Sequence, residues 1–267
     1  MANISPPSTS SIALTATVHD PDGRYLTALA ECRFAFGWYQ AVYLAVTSAT
    51  DPRLVAQLSG ASGIVALPGD SRVGVARRTA LQAAVDAGHA AMIACDFDRW
   101  LYWVARFPEE LRGVPHRLTR RRPEPWYACL GRTARAYATH PPVQRATERA
   151  TNRALSLALG RRLDATAGAC WLSTEGAALV LRHSCEASNA TDLEWPALIY
   201  RADPKRLAAL FLDGLAFETA SFAAAEVVAA GGVAAWMRQH YDRPEVYQSR
   251  LQLATDSVAA LCRVLAS

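Results

Sequence analysis

Lysine is nearly missing from this chain: Lys205 is the only one in 267 residues, so almost all of the 28 basic side chains are arginine. Such one-sided usage beside abundant alanine reads as coding bias, and a formal net charge of +4 is too small to single out a polyanionic partner. The one local basic run, residues 117–122 (RLTRRR), lies between Pro115 and Pro123 and reads as a solvated loop with no nucleic-acid motif beside it. Uninterrupted apolar stretches of about 18 residues are also lacking, which excludes a spanning helix and leaves membrane contact at most peripheral. The six cysteines form no CxxC pair and no zinc-ligand spacing, and no basic-then-apolar segment opens the chain. They read as reduced core residues of a cytoplasmic protein.

What is present is a globular composition, 51% hydrophobic and 19% charged, in a length suited to one sizeable α/β domain. Residues 1–11, rich in Ser and Pro, are expected to be a disordered tail, and residues 12–267 a single domain. Residues 12–18 (IALTATV) have strand composition and run into the turn-forming 19–24 (HDPDGR); residues 25–37 have helical spacing; 42–46 (VYLAV) and 64–67 (IVAL) are further short strands. A helix is expected from Gly74 to Gly88, then an apolar strand over 91–95 (AMIAC). Strands apolar on both faces and alternating with helices predict a mostly parallel central sheet flanked by helices. Further on, a helix is expected from Pro142 to Leu159, and residues 170–173, 177–181 and 197–200 look like strands or buried short segments. Residues 207–230 read as a long alanine-rich helix opening a helical C-terminal segment (206–267), and residues 112–125 as an exposed excursion.

The chemistry centres on Asp96-Phe97-Asp98, which follows an apolar strand directly and so falls at the sheet edge where open α/β folds bind ligands. In an extended segment, residues two apart point the same way, so both carboxylates are expected to face one divalent cation, Mn2+ or Mg2+. Such an ion would neutralise a departing nucleoside diphosphate.

The stretch Gly74-Val75-Ala76-Arg77-Arg78-Thr79-Ala80-Leu81, then Ala84, Gly88-His89, AMIAC and Asp96-Phe97-Asp98 resembles the central segment of GT-A glycosyltransferases of the broad family-2-like group. The resemblance covers roughly residues 12–99, with a looser echo to about residue 201. It implies a Rossmann-like GT-A fold, with a nucleotide-binding half over 12–110 and an acceptor half over 126–205. By the same resemblance Asp96 and Asp98 hold the metal and diphosphate, and Arg77 helps hold the nucleotide. The loops around His19, Asp20 and Arg24 and around Thr47 form the base and ribose pocket, although Thr47 and Ser48 stand where the family usually carries a base-reading aspartate. Asp164 falls in a segment (164–173) similar to the one beside donor sugar and acceptor.

The segment Thr191-Asp192-Leu193-Glu194-Trp195-Pro196 stands where the family often carries its general base, and Glu194 is the candidate, with Asp192 able to take the same role. A base there would deprotonate the acceptor hydroxyl in an inverting transfer, and Trp195 would stack on a sugar face. His183 and His240 are candidate third metal ligands. The expected activity is metal-dependent transfer of a sugar from a UDP- or GDP-linked donor to a carbohydrate or other hydroxyl acceptor. The alternatives are sugar-phosphate nucleotidyl transfer and a catalytically inactive GT-A-like binding protein.

Overall fold

Seven strands, β1 (Ile12–Val18), β2 (Ala41–Thr47), β3 (Ile64–Gly69), β4 (Ala91–Asp96), β5 (Tyr127–Arg132), β6 (Ala169–Ser173) and β7 (Leu207–Leu212), make one sheet in the order β3-β2-β1-β4-β6-β5-β7. The computed structural model describes residues 12–267, so the tail expected over residues 1–11 lies outside the described residues. β1 to β4 run parallel; β6 runs antiparallel to both β4 and β5, and β7 parallel to β5. Alternation along the strands divides the interior. Ile12, Leu14, Ala16, Val42, Leu44 and Ile93 face one core, while Ala13, Tyr43, Ala45 and Met92 face the other, since neighbours on a strand point to opposite faces.

The helices are α1 (Leu26–Cys32), α2 (Pro52–Ser59), α3 (Val73–Asp86), α4 (Phe97–Arg106), α5 (Pro108–Thr119), α6 (Ala134–Ala138), α7 (Pro142–Ala158), α8 (Thr174–His183), α9 (Thr191–Ala202), α10 (Thr219–Phe222), α11 (Ala224–Ala229), α12 (Val233–Tyr241) and α13 (Pro244–Ala266). Those contributing to the first core include α1, α2, α4 and α5; α3, α7, α8, α9 and α13 contribute to the second. The resulting order is helix, sheet, helix. A small third cluster of Phe217, Ala223 and Trp236 holds the segment after β7 together.

The strands expected over 12–18, 42–46, 64–67, 91–95 and 170–173 are present, as are the helices expected over 74–88 and 142–159. The long helix expected over 207–230 is not. Its first six residues are β7, paired from Leu207 opposite Tyr127 to Leu212 opposite Arg132, and only short helices follow. Alanine's helical preference is a few tenths of a kcal/mol per residue, roughly, less than what burial of Leu207, Leu210 and Leu212 against the sheet contributes. Asp213-Gly214 then turns the chain away under Trp103; a Cβ on Gly214 would stand 1.9 Å from that indole.

Residues 177–181 and 197–200 lie in helices α8 and α9 rather than strands, a confusion that short apolar runs invite. The supposed excursion over 112–125 is mostly α5, which buries Leu111, Val114 and Leu118. Of the cysteines, Cys32, Cys95, Cys129 and Cys170 are buried as expected, whereas Cys185 and Cys262 are exposed; all six are free.

Candidate active site at the ends of β1 and β4

From β1 the sheet extends through β2 and β3 on one side and through β4 on the other. The crevice outside the carboxyl ends of β1 and β4 is therefore the switch point at which α/β sheets bind ligands. Asp96 ends β4 opposite Thr17 of β1. Its backbone N–H donates to Gly168 O at 2.9 Å, and its carboxylate accepts from Arg77 Nη2 at 3.0 and 3.2 Å and from the Thr17 hydroxyl at 3.4 Å.

Asp98 does not continue an extended segment. The strand stops at Asp96, and α4 begins at Phe97, whose ring is buried in the first core and stacks on Trp100. That anchoring turns Asp98 into the first turn of α4, where helix amides favour a carboxylate; its Oδ1 accepts from Arg99 N at 2.8 Å. The two aspartates nevertheless line one cavity of about 180 Å³, together with Thr17, His19, Tyr25, Val73 and Asn189. Burial, reinforced by the charges of Glu218 and Asp96 against the pull of Arg99, pushes Asp98 up to about 7.

Arg77, projecting from α3, joins three elements. Besides Asp96 it holds Asp192 at 2.6 Å and the Thr191 hydroxyl at 2.9 Å. Burial pushes Asp192 up to about 6 in spite of that pairing. Arg99 pairs with Glu218 at 3.1 Å. Asp96 and Asp192 thus share the Arg77 guanidinium and Glu218 takes that of Arg99, while the Asp98 carboxylate accepts from a backbone amide; the carboxylate oxygens of Asp96 and Asp98 are the donor type that suits a hard divalent cation. Behind Asp96 lies a second polar cavity of about 160 Å³, reached by Gln144 and Thr151 of α7, Asp192 of α9, and Arg250 and Ser257 of α13.

Several residues singled out in the sequence stand elsewhere. Asp20 is buried, and its two carboxylate oxygens accept from the backbone amides of Arg24 (2.9 Å) and Tyr25 (2.8 Å), so it fixes the 19–24 loop rather than presenting itself to a ligand. His19 is exposed at the cavity, with Nδ1 2.9 Å from the Thr47 hydroxyl. Thr47 is in turn bonded to Thr50. Arg24 pairs with Asp22 and with Glu226 of α11, which ties the segment after β7 to this loop.

Asp164 is buried and takes Arg132 through both oxygens at 2.7 and 2.9 Å, with Asn152 at 2.7 Å; it lines neither cavity at Asp96 but a groove beside α7. Glu194, 2% exposed, accepts from the Ser184 hydroxyl and the amides of Cys185 and Glu186, and lines none of these cavities. Trp195 is buried, donates to Ser184 at 3.0 Å, and reaches only a void of about 30 Å³, room for roughly one water. His183 is exposed at the end of α8, and His240 lies 3.8 Å from Glu226; neither lines the Asp96–Asp98 cavity. Among the described residues the one group of three ligand-type side chains with converging donor atoms is Cys185, Glu186 and Glu194, where the Glu194 oxygens are already occupied and Glu186 is paired with Arg263.

Sequence reasoning missed Arg99 and Glu218. Arg99 adjoins the motif, but Glu218 lies in the stretch misread as helix, 119 positions away, and nothing local marks it.

No protein-family model matches the chain, and no curated protein does. Solved structures do. The chain is similar to glucosyl-3-phosphoglycerate synthase of M. tuberculosis at 13% identity with a TM-score of 0.54, over 95% of this chain and 80% of that one. A structure of that enzyme in complex with uridine diphosphate matches at 13% identity and a TM-score of 0.51, over 93% of this chain and 80% of that one. At such identity the likeness is one of architecture: the chain has the GT-A fold of nucleotide-sugar glycosyltransferases.

Proposed function

We propose that this protein is a metal-dependent glycosyltransferase that moves a sugar from a nucleoside-diphosphate donor to a hydroxyl acceptor. The observation that carries this reading is the shared cavity of Asp96 and Asp98 at the switch point of a GT-A sheet, with His19 and Thr17 of the β1 end on its other wall. The enzyme of similar fold has been captured with uridine diphosphate, which supports a uridine donor. Asp96 and Asp98 would hold magnesium or manganese, which when bound offsets the charge of the departing diphosphate. His19, which lines the cavity and is held by the Thr47 hydroxyl, fits its nucleotide side. Gln144, Asp192 and Arg250 fit the acceptor side.

An inverting transfer needs a carboxylate facing the acceptor hydroxyl, and Asp192 suits this better than Glu194. Asp192 lines the second polar cavity and is pushed toward the pH at which a base works best, whereas the Glu194 oxygens are engaged by backbone amides. NMR of the product's anomeric configuration checks the base: retained configuration removes the need for one. For the activity itself, UDP- and GDP-sugars with manganese are expected to give nucleoside diphosphate that Asp98→Ala abolishes; release unaffected by that substitution excludes the site.

One observation favours a second reading, a GT-A-like binding protein without turnover. Arg77 already neutralises Asp96 at 3.0 Å, in competition with a cation. Calorimetric binding of a nucleotide sugar with no diphosphate release would support it.

A further inference from the structure

A groove of about 700 Å³ runs between α7 and the edge strand β7, apart from the cavities around Asp96. Five arginines line it, Arg132, Arg149, Arg153, Arg161 and Arg162, against a single acid, Asp164. Asp164 is spent on Arg132, which is itself buried and also paired with Glu148 at 2.6 Å. Of the other four, Arg161 donates to the backbone oxygen of Leu207, and Arg162 stacks on the Phe211 ring with its guanidinium carbon 4.5 Å from the centroid. Arg149 and Arg153 stand exposed one turn apart on α7 and make no hydrogen bond or ion pair among the described residues.

Around one hollow the groove gathers four guanidinium groups, Arg149, Arg153, Arg161 and Arg162, that hold no carboxylate among the described residues. Like charges at i,i+4 on a helix destabilise it slightly, and an anion bound between Arg149 and Arg153 would relieve that repulsion. Guanidinium forks match phosphoryl oxygens in geometry and bind them bidentately. The groove is open to solvent on one side, and Tyr137 and Phe211 add ring surface to one wall.

We propose that this groove is a second ligand site, distinct from the sugar-transfer site, that binds a phosphorylated small molecule through Arg149, Arg153 and Arg162. Calorimetric titration with inorganic tripolyphosphate, without divalent cations, compares wild type with R149A/R153A; both side chains are exposed, so the variant keeps its fold, which circular dichroism checks. Affinity is expected to fall about tenfold or more in the variant, the loss of two charge-assisted contacts, while metal-dependent nucleotide binding stays unchanged. A parallel arm uses phosphatidylglycerol–phosphatidylcholine vesicles. Sedimentation lost in R149A/R153A would identify a lipid phosphate as the source of the same chemistry. Equal affinity of both proteins for tripolyphosphate and vesicles, or no binding to either, overturns the proposal. Because the nucleotide site is measured separately, this outcome is independent of the transferase reading.

Discussion

Arg77 illustrates how far a single residue can be read from sequence. Its place beside a glycine at the start of a helix before Asp96 marks it for the nucleotide site; its contacts add that it clamps Asp96 and Asp192 together. Removing it leaves two largely buried carboxylates without their counter-charge, so Arg77→Ala is expected to cost about 3 kcal/mol of stability in chemical denaturation. Glu194 is the opposite case. Its neighbours in sequence resemble a base motif, but its oxygens close the turn between α8 and α9. Glu194→Gln is therefore expected to lower stability by about 1–3 kcal/mol, the cost of an imperfectly satisfied buried group, while leaving kcat for donor turnover within a few-fold of wild type. A loss of turnover at unchanged melting temperature would restore Glu194 as the base.

Elements succeed or fail as sequence readings according to where their partners lie. β1 to β4 were legible because each is a short apolar run bounded by polar turns, in an order that suits a parallel sheet. β7 was not, because LAALFL becomes a strand only through its ladder with β5, some 80 positions earlier. The loop before β6 shows the same dependence. Gly168 adopts φ +69°, and a Cβ there would stand 2.6 Å from an Asp96 oxygen and 2.7 Å from Arg99 Nε. Gly168→Ala pays for positive φ by about 1–2 kcal/mol and displaces Asp96. It is expected to weaken metal-dependent nucleotide binding more than it lowers stability, with calorimetry and thermal unfolding measuring the two separately.

At the scale of the whole molecule, acid stability carries the imprint of the buried network behind the site. His140, between α6 and α7, is 2% exposed, with Nε2 3.3 Å from Leu215 O. Burial first, and then the charges of Arg99 and Arg132, push it down to about 2. The unfolded chain protonates this histidine below pH ~6.5 and the folded one does not, so the unfolded state takes up more protons and stability falls on acidification. The expected contribution is nil above about pH 7 and up to about 1.4 kcal/mol per pH unit below about 6. Denaturation curves of wild type and His140→Gln at pH 7 and pH 5 test this; a wild type that loses no more stability than the variant on acidification would show that His140 is protonated in the folded state.

The sequence by itself determined the fold class, the first four strands, and the strand-end position of Asp96, because these follow from local patterns of burial and from chain breaks within a few residues. Only the tertiary structure decided that Asp98 enters a helix and still meets Asp96 at one cavity, that Glu218 returns to pair with Arg99 beside it, and that Glu194 and Trp195 turn inward. Each of those outcomes depends on which distant element supplies a partner, Phe97's core, Arg99's salt bridge or the turn after α8, and charge and packing across such separations leave no periodicity along the chain.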